Sequence, residues 1–154
     1  AQGQYSSEVL KECEPSKYYL IDAWHMALPQ YGEKAFREVQ DLFSVQISTG
    51  QVTLMRGWSW DKVAELEDAS LDWAYLDAGH GYDDVSRDIE ALQSKIRPGG
   101  FLCGHDYVKW TRNSARFGVV EAVNMHSRKM HWPFAYITMD HNTNASFALR
   151  KPER

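Results

Sequence analysis

Three compact apolar runs end on acidic residues: Lys17-Tyr18-Tyr19-Leu20-Ile21-Asp22, Leu71-Asp72-Trp73-Ala74-Tyr75-Leu76-Asp77 and Phe101-Leu102-Cys103-Gly104-His105-Asp106. Their aromatic and β-branched content fits buried strands, and stretches of helical spacing separate them. Tyr31 to Val45 carries Ala35, Phe36, Val39, Leu42 and Phe43 on one face of a predicted helix. Asp83 or Asp84 begins another, running through Val85, Ile89, Leu92 and Ile96 until Pro98-Gly99-Gly100 stops it. Shorter helices are predicted from Tyr5 to Cys13, capped by Ser6 or Ser7, and from Ser59 to about Leu66. Gln51 to Arg56 is a further strand, and Phe117 to Met130 a late helix. Phe134 to Thr138 and Ala145 to Leu149, separated by the turn-forming stretch Asp140-His141-Asn142-Thr143-Asn144, read as an antiparallel hairpin. Strand and helix alternate throughout, so the class is α/β with a mainly parallel sheet.

At 154 residues the chain is expected to form one domain with a substantial core. The net charge of −4 gives no basic footprint for a phosphate backbone, so no nucleic-acid partner is expected. No apolar run approaches the roughly 20 residues of a membrane span, and the mean hydropathy is −0.53. Cys13 and Cys103 have neither zinc-site nor disulfide-framework spacing. They read as partly buried thiols of a reducing, cytoplasmic protein.

In an open parallel sheet, ligands bind beyond the carboxyl ends of the strands. Asp22, the Asp77-Ala78-Gly79-His80 corner and His105-Asp106 deliver polar groups to that edge. One strand-end acid can be a helix cap; several crowded on one rim repel one another unless a cation joins them. Asp22 suits the ribose hydroxyls of an adenosyl ligand, and Gly3 sits where a strand-to-helix turn lets backbone approach that ligand. His80 and His105 are candidate general bases, since neutral imidazole accepts a proton near pH 7. His25, His126, His131 and His141 read as surface or packing residues, and Arg87-Asp88 as part of a solvated helix face.

The motifs Tyr19-Leu20-Ile21-Asp22-Ala23-Trp24, Leu76-Asp77-Ala78-Gly79-His80-Gly81-Tyr82, Arg97-Pro98-Gly99-Gly100 and Gly104-His105-Asp106-Tyr107 resemble a class I S-adenosylmethionine-dependent methyltransferase of the small-molecule O-methyltransferase type. The resemblance runs from about Gly3 to Lys151 and is most specific between Leu71 and Tyr107. It implies a Rossmann-like sheet with helices on both faces, and S-adenosylmethionine as cofactor. Gly3, Asp22, Trp58, Ser59 and Asp77 are the implied cofactor-binding residues, with Gly57-Trp58-Ser59-Trp60 bordering the adenine. Trp58 and Trp60 have core packing as their alternative role. Metal-assisted relatives hold a divalent cation with the acid matching Asp77 and two acids after the next strand. Here that pair is His105-Asp106, which leaves Asp77 and Asp106 as a partial metal site and makes Mg²⁺ a poorer match than a softer ion. Oxygen methylation of a small-molecule hydroxyl follows, with His80 or His105 as the base. Dimerisation is implied by the resemblance alone.

A nicotinamide dehydrogenase would carry a fuller Gly-x-Gly-x-x-Gly turn and has no use for the Asp77 and His105-Asp106 corners. A non-catalytic or truncated methyltransferase-fold binding module is the remaining alternative. Aromatic residues near Trp24, Tyr107 and Trp110 line an apolar pocket or pack. Ala1-Gln2-Gly3-Gln4-Tyr5-Ser6 aligns with the loop after the family's first strand. The resemblance therefore implies an N-terminally incomplete domain, residues 1–154, without its first central strand.

Overall fold

The computed structural model describes residues 3–24, 29–109, 111–112, 115–139 and 144–153, and the side chains of 29–31, 111–112 and 115–116 are not among its described features. The chain forms two compact units, Ala1–Lys62 and Val63–Arg154.

The first unit begins with α1 (Gln4–Cys13) and β1 (Tyr18–Asp22), followed by α2 (Pro29–Leu42) and α3 (Ser44–Ser48). It closes with β2 (Val52–Arg56) and the first turn of α4 (Ser59–Ala64). β1 and β2 pair in parallel, Tyr18 opposite Val52 through Asp22 opposite Arg56. Their core is Trp24, Val39, Phe43 and Val52, with Leu10, Leu20, Phe36, Ile47 and Leu54 packed around it. Two local predictions need correction. Neither Ser6 nor Ser7 caps α1: the N-cap is Gly3 at φ 82°, a left-handed conformation glycine adopts without strain, and Ser7 Oγ donates back to the Gly3 carbonyl. The helix predicted from Tyr31 to Val45 divides at Phe43, whose backbone leaves the helical region (φ −107°, ψ 20°) while its ring enters the core.

The second unit contains β3 (Leu71–Leu76), α5 (Tyr82–Leu92), β4 (Ile96–Gly104) and the short pair β5 (Thr111–Arg112) and β6 (Ala115–Arg116). It ends with α6 (Val119–Met130), β7 (Phe134–Ile137) and β8 (Phe147–Arg150). The sheet order is β3-β4-β8-β7, with β3 and β4 parallel and both pairings of β8 antiparallel. The architecture is therefore α/β with a mixed sheet, and the closing hairpin is antiparallel as its turn chemistry predicts. Among the described residues no strand adjoins the second edge of β1 or of β3. Leu102 and Leu149, opposite each other in the sheet, are fully buried together with Ile89, Ile96 and Val123.

The Pro98-Gly99-Gly100 stop signal misplaces an element. α5 ends at Leu92, and Ile96 through Gly100 belong to β4. The turn chemistry is real but is absorbed as a sheet irregularity: the β3–β4 register moves from Leu71 opposite Ile96 to Trp73 opposite Phe101. Gly99 supplies a positive φ of 75°, and the two glycines exchange backbone hydrogen bonds with Lys151, Gly99 N donating to its carbonyl and Gly100 O accepting from its amide. Asp88 is also buried rather than solvated, and β5 and β6 have no counterpart in the sequence reading.

Of the two thiols, Cys13 is exposed rather than partly buried, and Cys103 is half-buried in β4. Burial pushes the Cys103 pKa up to about 11. Iodoacetamide at pH 7.5 should therefore modify Cys13 at least about tenfold faster than Cys103, because the thiolate is the nucleophile. Time-resolved intact-mass and peptide analysis reads the two rates, and equal rates would contradict the packing of β4. No helix among the described residues is long and apolar enough to cross a membrane.

Candidate active site

The ends of β3 and β4 are locked together by the His105 amide donating to the Leu76 carbonyl at 2.9 Å. That bond puts the residues following each strand on one rim. From β3 the chain turns through Asp77 and two glycines into α5. A side chain at Gly79 would meet Asp84 Cβ at 2.9 Å, so the turn is tight enough to carry His80 back over the strand ends. Its imidazole lies flat on Phe117, with ring centroids 4.7 Å apart and planes 14° from parallel. The carbonyl of His80 accepts from the Gly118 amide at the start of α6. Ring and backbone of His80 are thus both fixed by the Phe117-Gly118 corner.

From β4 comes Asp106, 8% exposed and left-handed at φ 57°. Its Oδ2 is 2.7 Å from His80 Nε2, its Oδ1 is 3.4 Å from His105 Nδ1, and Asn144 Nδ2 donates to Oδ1. Burial pushes this carboxyl's pKa up, but the Asn144 hydrogen bond and the charges of His105 and His80 outweigh burial and leave the value lowered. Asp106 is accordingly an anion at neutral pH. His80 Nε2 has the distance of an ion pair but not the alignment of a hydrogen bond, so it is buried without a hydrogen-bond partner. Asp77 is the exposed member, its Oδ1 3.9 Å from the same nitrogen.

One donor atom from each of Asp77, His80 and Asp106 falls within 4.8 Å of the others. Two carboxylates and an imidazole make a mixed oxygen and nitrogen set, suited in kind to a divalent cation of borderline softness. Because Nε2 is misaligned for a hydrogen bond, that ring leaves Asp106 Oδ2 open toward such a cation. His105 lies outside this trio and touches Asp106 from its other oxygen.

In the first unit, the Gly57 amide donates to the Asp22 carbonyl at 3.0 Å, which brings the Gly57-Trp58-Ser59-Trp60 segment to the end of β1. Asp22 Oδ1 accepts from the Trp24 amide at 2.6 Å, closing a turn after the strand. Trp24 itself is core. Trp58 is 47% exposed and stacks on Trp60 with centroids 5.2 Å apart and planes 5° from parallel. A stacked pair with its outer ring in solvent offers a flat π face of the kind a purine takes. Ser59 is the first residue of α4, and Gly3 heads α1 against Leu42 and Phe43. Tyr107 packs on Phe134 and Phe147 and donates its hydroxyl to Asn124, so it packs rather than lining a pocket. Trp110, His25 and His141 lie outside the described residues.

Asn144 and Phe117 were absent from the candidates read in the sequence. Asn144 sits in a turn-forming cluster 38 residues from Asp106, and nothing local marks its contact. Phe117 precedes a helix and reads there as an ordinary apolar residue.

The profile of the methyltransferase-domain family matches residues 3–107, more than half of the chain. The chain belongs to that family, and its fold is that of a class I S-adenosylmethionine-dependent methyltransferase. No curated protein sequence matches it. Among solved structures it is similar to the O-methyltransferase NovP, with a TM-score of 0.64 at 16% identity over 94% of this chain and 64% of that one. A TDP-rhamnose 3′-O-methyltransferase of calicheamicin biosynthesis gives 0.61 at 16% identity, over 96% of this chain and 66% of its own. An rRNA methylase from Streptococcus thermophilus gives 0.67 at 14% identity, over 99% and 82%. The chain thus spans about two thirds of the length of the two O-methyltransferases.

Proposed function

We propose that the chain methylates a hydroxyl of a small molecule, using S-adenosylmethionine and assisted by a divalent cation. The reading is carried by one observation: Asp77, His80 and Asp106, from the ends of two adjacent strands, converge with donor atoms within 4.8 Å. S-adenosylmethionine, when bound, supplies a methyl group already activated on its sulfonium sulfur. The residues have only to align an oxygen nucleophile and remove its proton.

His80 Nδ1 takes the hydroxyl proton, and the ionised Asp106, 2.7 Å from Nε2, stabilises the imidazolium that forms. Transfer of that methyl to the hydroxyl oxygen would leave a methyl ether and S-adenosylhomocysteine as products. Phe117 holds the ring plane. Asp77 and Asp106 would supply hard oxygen ligands for the cation, whose charge would lower the hydroxyl pKa. His105, 3.4 Å from Asp106, helps keep that carboxylate ionised. In the first unit, Asp22 receives the ribose, the outer face of Trp58 the adenine, and Ser59 and Gly3 border the cofactor. A net charge of −4 weighs against a polyanionic acceptor such as rRNA and for a small one.

Isothermal titration with S-adenosylmethionine and S-adenosylhomocysteine, with and without Mn²⁺ or Mg²⁺, tests the reading, with NAD as control. Heat with the adenosyl ligands but not with NAD is expected. The Asp22→Ala protein should bind S-adenosylhomocysteine at least about tenfold more weakly, the loss of one or two charge-assisted hydrogen bonds. Unchanged affinity would sink the ribose assignment, and no adenosyl binding by the parent chain would favour a non-catalytic binding module. Turnover with a panel of phenols, catechols and nucleotide sugars then separates acceptor classes.

A further inference from the structure

His126 is the one polar side chain of α6 that the proposed chemistry leaves unused although it is wholly enclosed. It has 0% exposure, and neither Nδ1 nor Nε2 has a hydrogen-bond partner among the described residues. Buried imidazoles normally donate one nitrogen to a carbonyl or carboxylate, so an enclosed ring with two orphaned nitrogens is held by packing alone. Its helix packs on α5, and the neighbouring residues Val119, Ala122 and Val123 are buried with it.

The charges acting on the ring come from both helices. Glu90 of α5 favours the cation and Lys129 of α6 opposes it, and these two pair with each other at 3.2 Å. Asp88 of α5 is also buried, on the helix that packs against α6. The anion that acts on the ring, Glu90, is already paired with Lys129, and neither ring nitrogen has a hydrogen-bond partner. The same helix begins at the Gly118 amide, which holds the His80 carbonyl.

We propose that His126 is an acid-sensitive lock on the packing of α5 against α6: the ring is stable there only without a proton, and acquiring one forces the two helices to loosen. Desolvation holds the ring's pKa below its ordinary value of 6.5. The sign follows from proton linkage. Above pH 6.5 the ring is neutral in both folded and unfolded chains and costs nothing extra. As pH falls through 6.5 the unfolded chain takes the proton first, so stability is lost until the pH drops below the lowered folded value. Each unit of lowering is read as about 3–5 °C of Tm for a chain of this length.

The test compares Tm between pH 7.5 and 5.0 for the 154-residue chain and its His126→Leu variant. Leucine fills similar volume and removes both orphaned nitrogens. The variant is expected to melt higher at pH 5.0 and to lose less Tm on acidification. A pH dependence identical to the parent would overturn the proposal. The parent chain provides a second reading should leucine disturb the fold. Its His126 Cε1–H resonance should titrate well below 6.5, with accelerated amide exchange at Ala122 and Val123 on acidification. A His126 titration at or above 6.5 with α6 amides still protected would equally overturn it.

Discussion

The His80→Ala protein is expected to turn over about 10²–10⁴-fold more slowly, the usual contribution of a positioned general base, with its affinity for S-adenosylhomocysteine unchanged. The expectation rests on the contacts of His80. Its ring is clamped on Phe117, its Nε2 faces the ionised Asp106, and its carbonyl is held by Gly118. Removing the imidazole leaves Asp106 buried beside His105 and Asn144, which still hold its other oxygen, so the fold should persist. His105→Ala should lose less than His80→Ala, because its ring reaches only the far oxygen of Asp106 at 3.4 Å. Rates measured with whichever acceptor of the panel turns over decide between them. If His80→Ala keeps full kcat, proton transfer from the acceptor does not need this ring. If it loses affinity for Mn²⁺ together with kcat, His80 acts mainly as a ligand.

The largest expected loss of stability comes from adding one methyl group at the start of α6. A Cβ on Gly118 would lie 2.4 Å from Tyr82 N and 2.6 Å from Tyr82 Cα. Both are backbone atoms at the first residue of α5, where no side chain can rotate away. Gly118→Ala should therefore cost about 3 kcal/mol, the upper range for forced overpacking, read as a fall of roughly 6–12 °C in Tm. The same displacement pulls the Gly118 amide from the His80 carbonyl. Activity at a temperature where the variant is still folded should fall along with stability, and Tyr82→Ala should not relieve the clash because the obstructing atoms remain. A variant with parental Tm would mean that α5 and α6 approach less closely at this corner.

The sequence made the candidate rim legible and the elements behind it less so. Asp77, His80, His105 and Asp106 announce themselves because a strand's carboxyl end is where an α/β sheet binds ligands, and apolar strands make their terminal acids conspicuous. Their mutual geometry was out of reach, since it depends on Phe117 and Asn144, which arrive from distant positions and have no local signature. Pro98-Gly99-Gly100 was misread for a related reason. Its turn chemistry is genuine, but the Lys151 backbone, 51 residues beyond Gly100, draws the turn into the sheet through bonds of 3.0 and 2.9 Å. Phe43 shows tertiary packing overriding helical periodicity, and His126 looks in sequence like any histidine on a helix.

The left-handed backbone at Asp106 has a consequence for anyone engineering a more robust version of the chain. Glu14, Ala69, Asp106 and His131 all have positive φ values, of 44°, 55°, 57° and 56°. A stabilisation campaign guided by backbone angles alone would exchange each for glycine, recovering about 1 kcal/mol of conformational strain at a time. At Glu14 and Ala69 that exchange touches none of the groups on the rim. At Asp106 it would delete the carboxylate that His80, His105 and Asn144 all address. Automated consensus or backbone-guided redesign would therefore need this position held fixed, because an edit that relaxes the backbone there also removes the carboxylate at the centre of the candidate site.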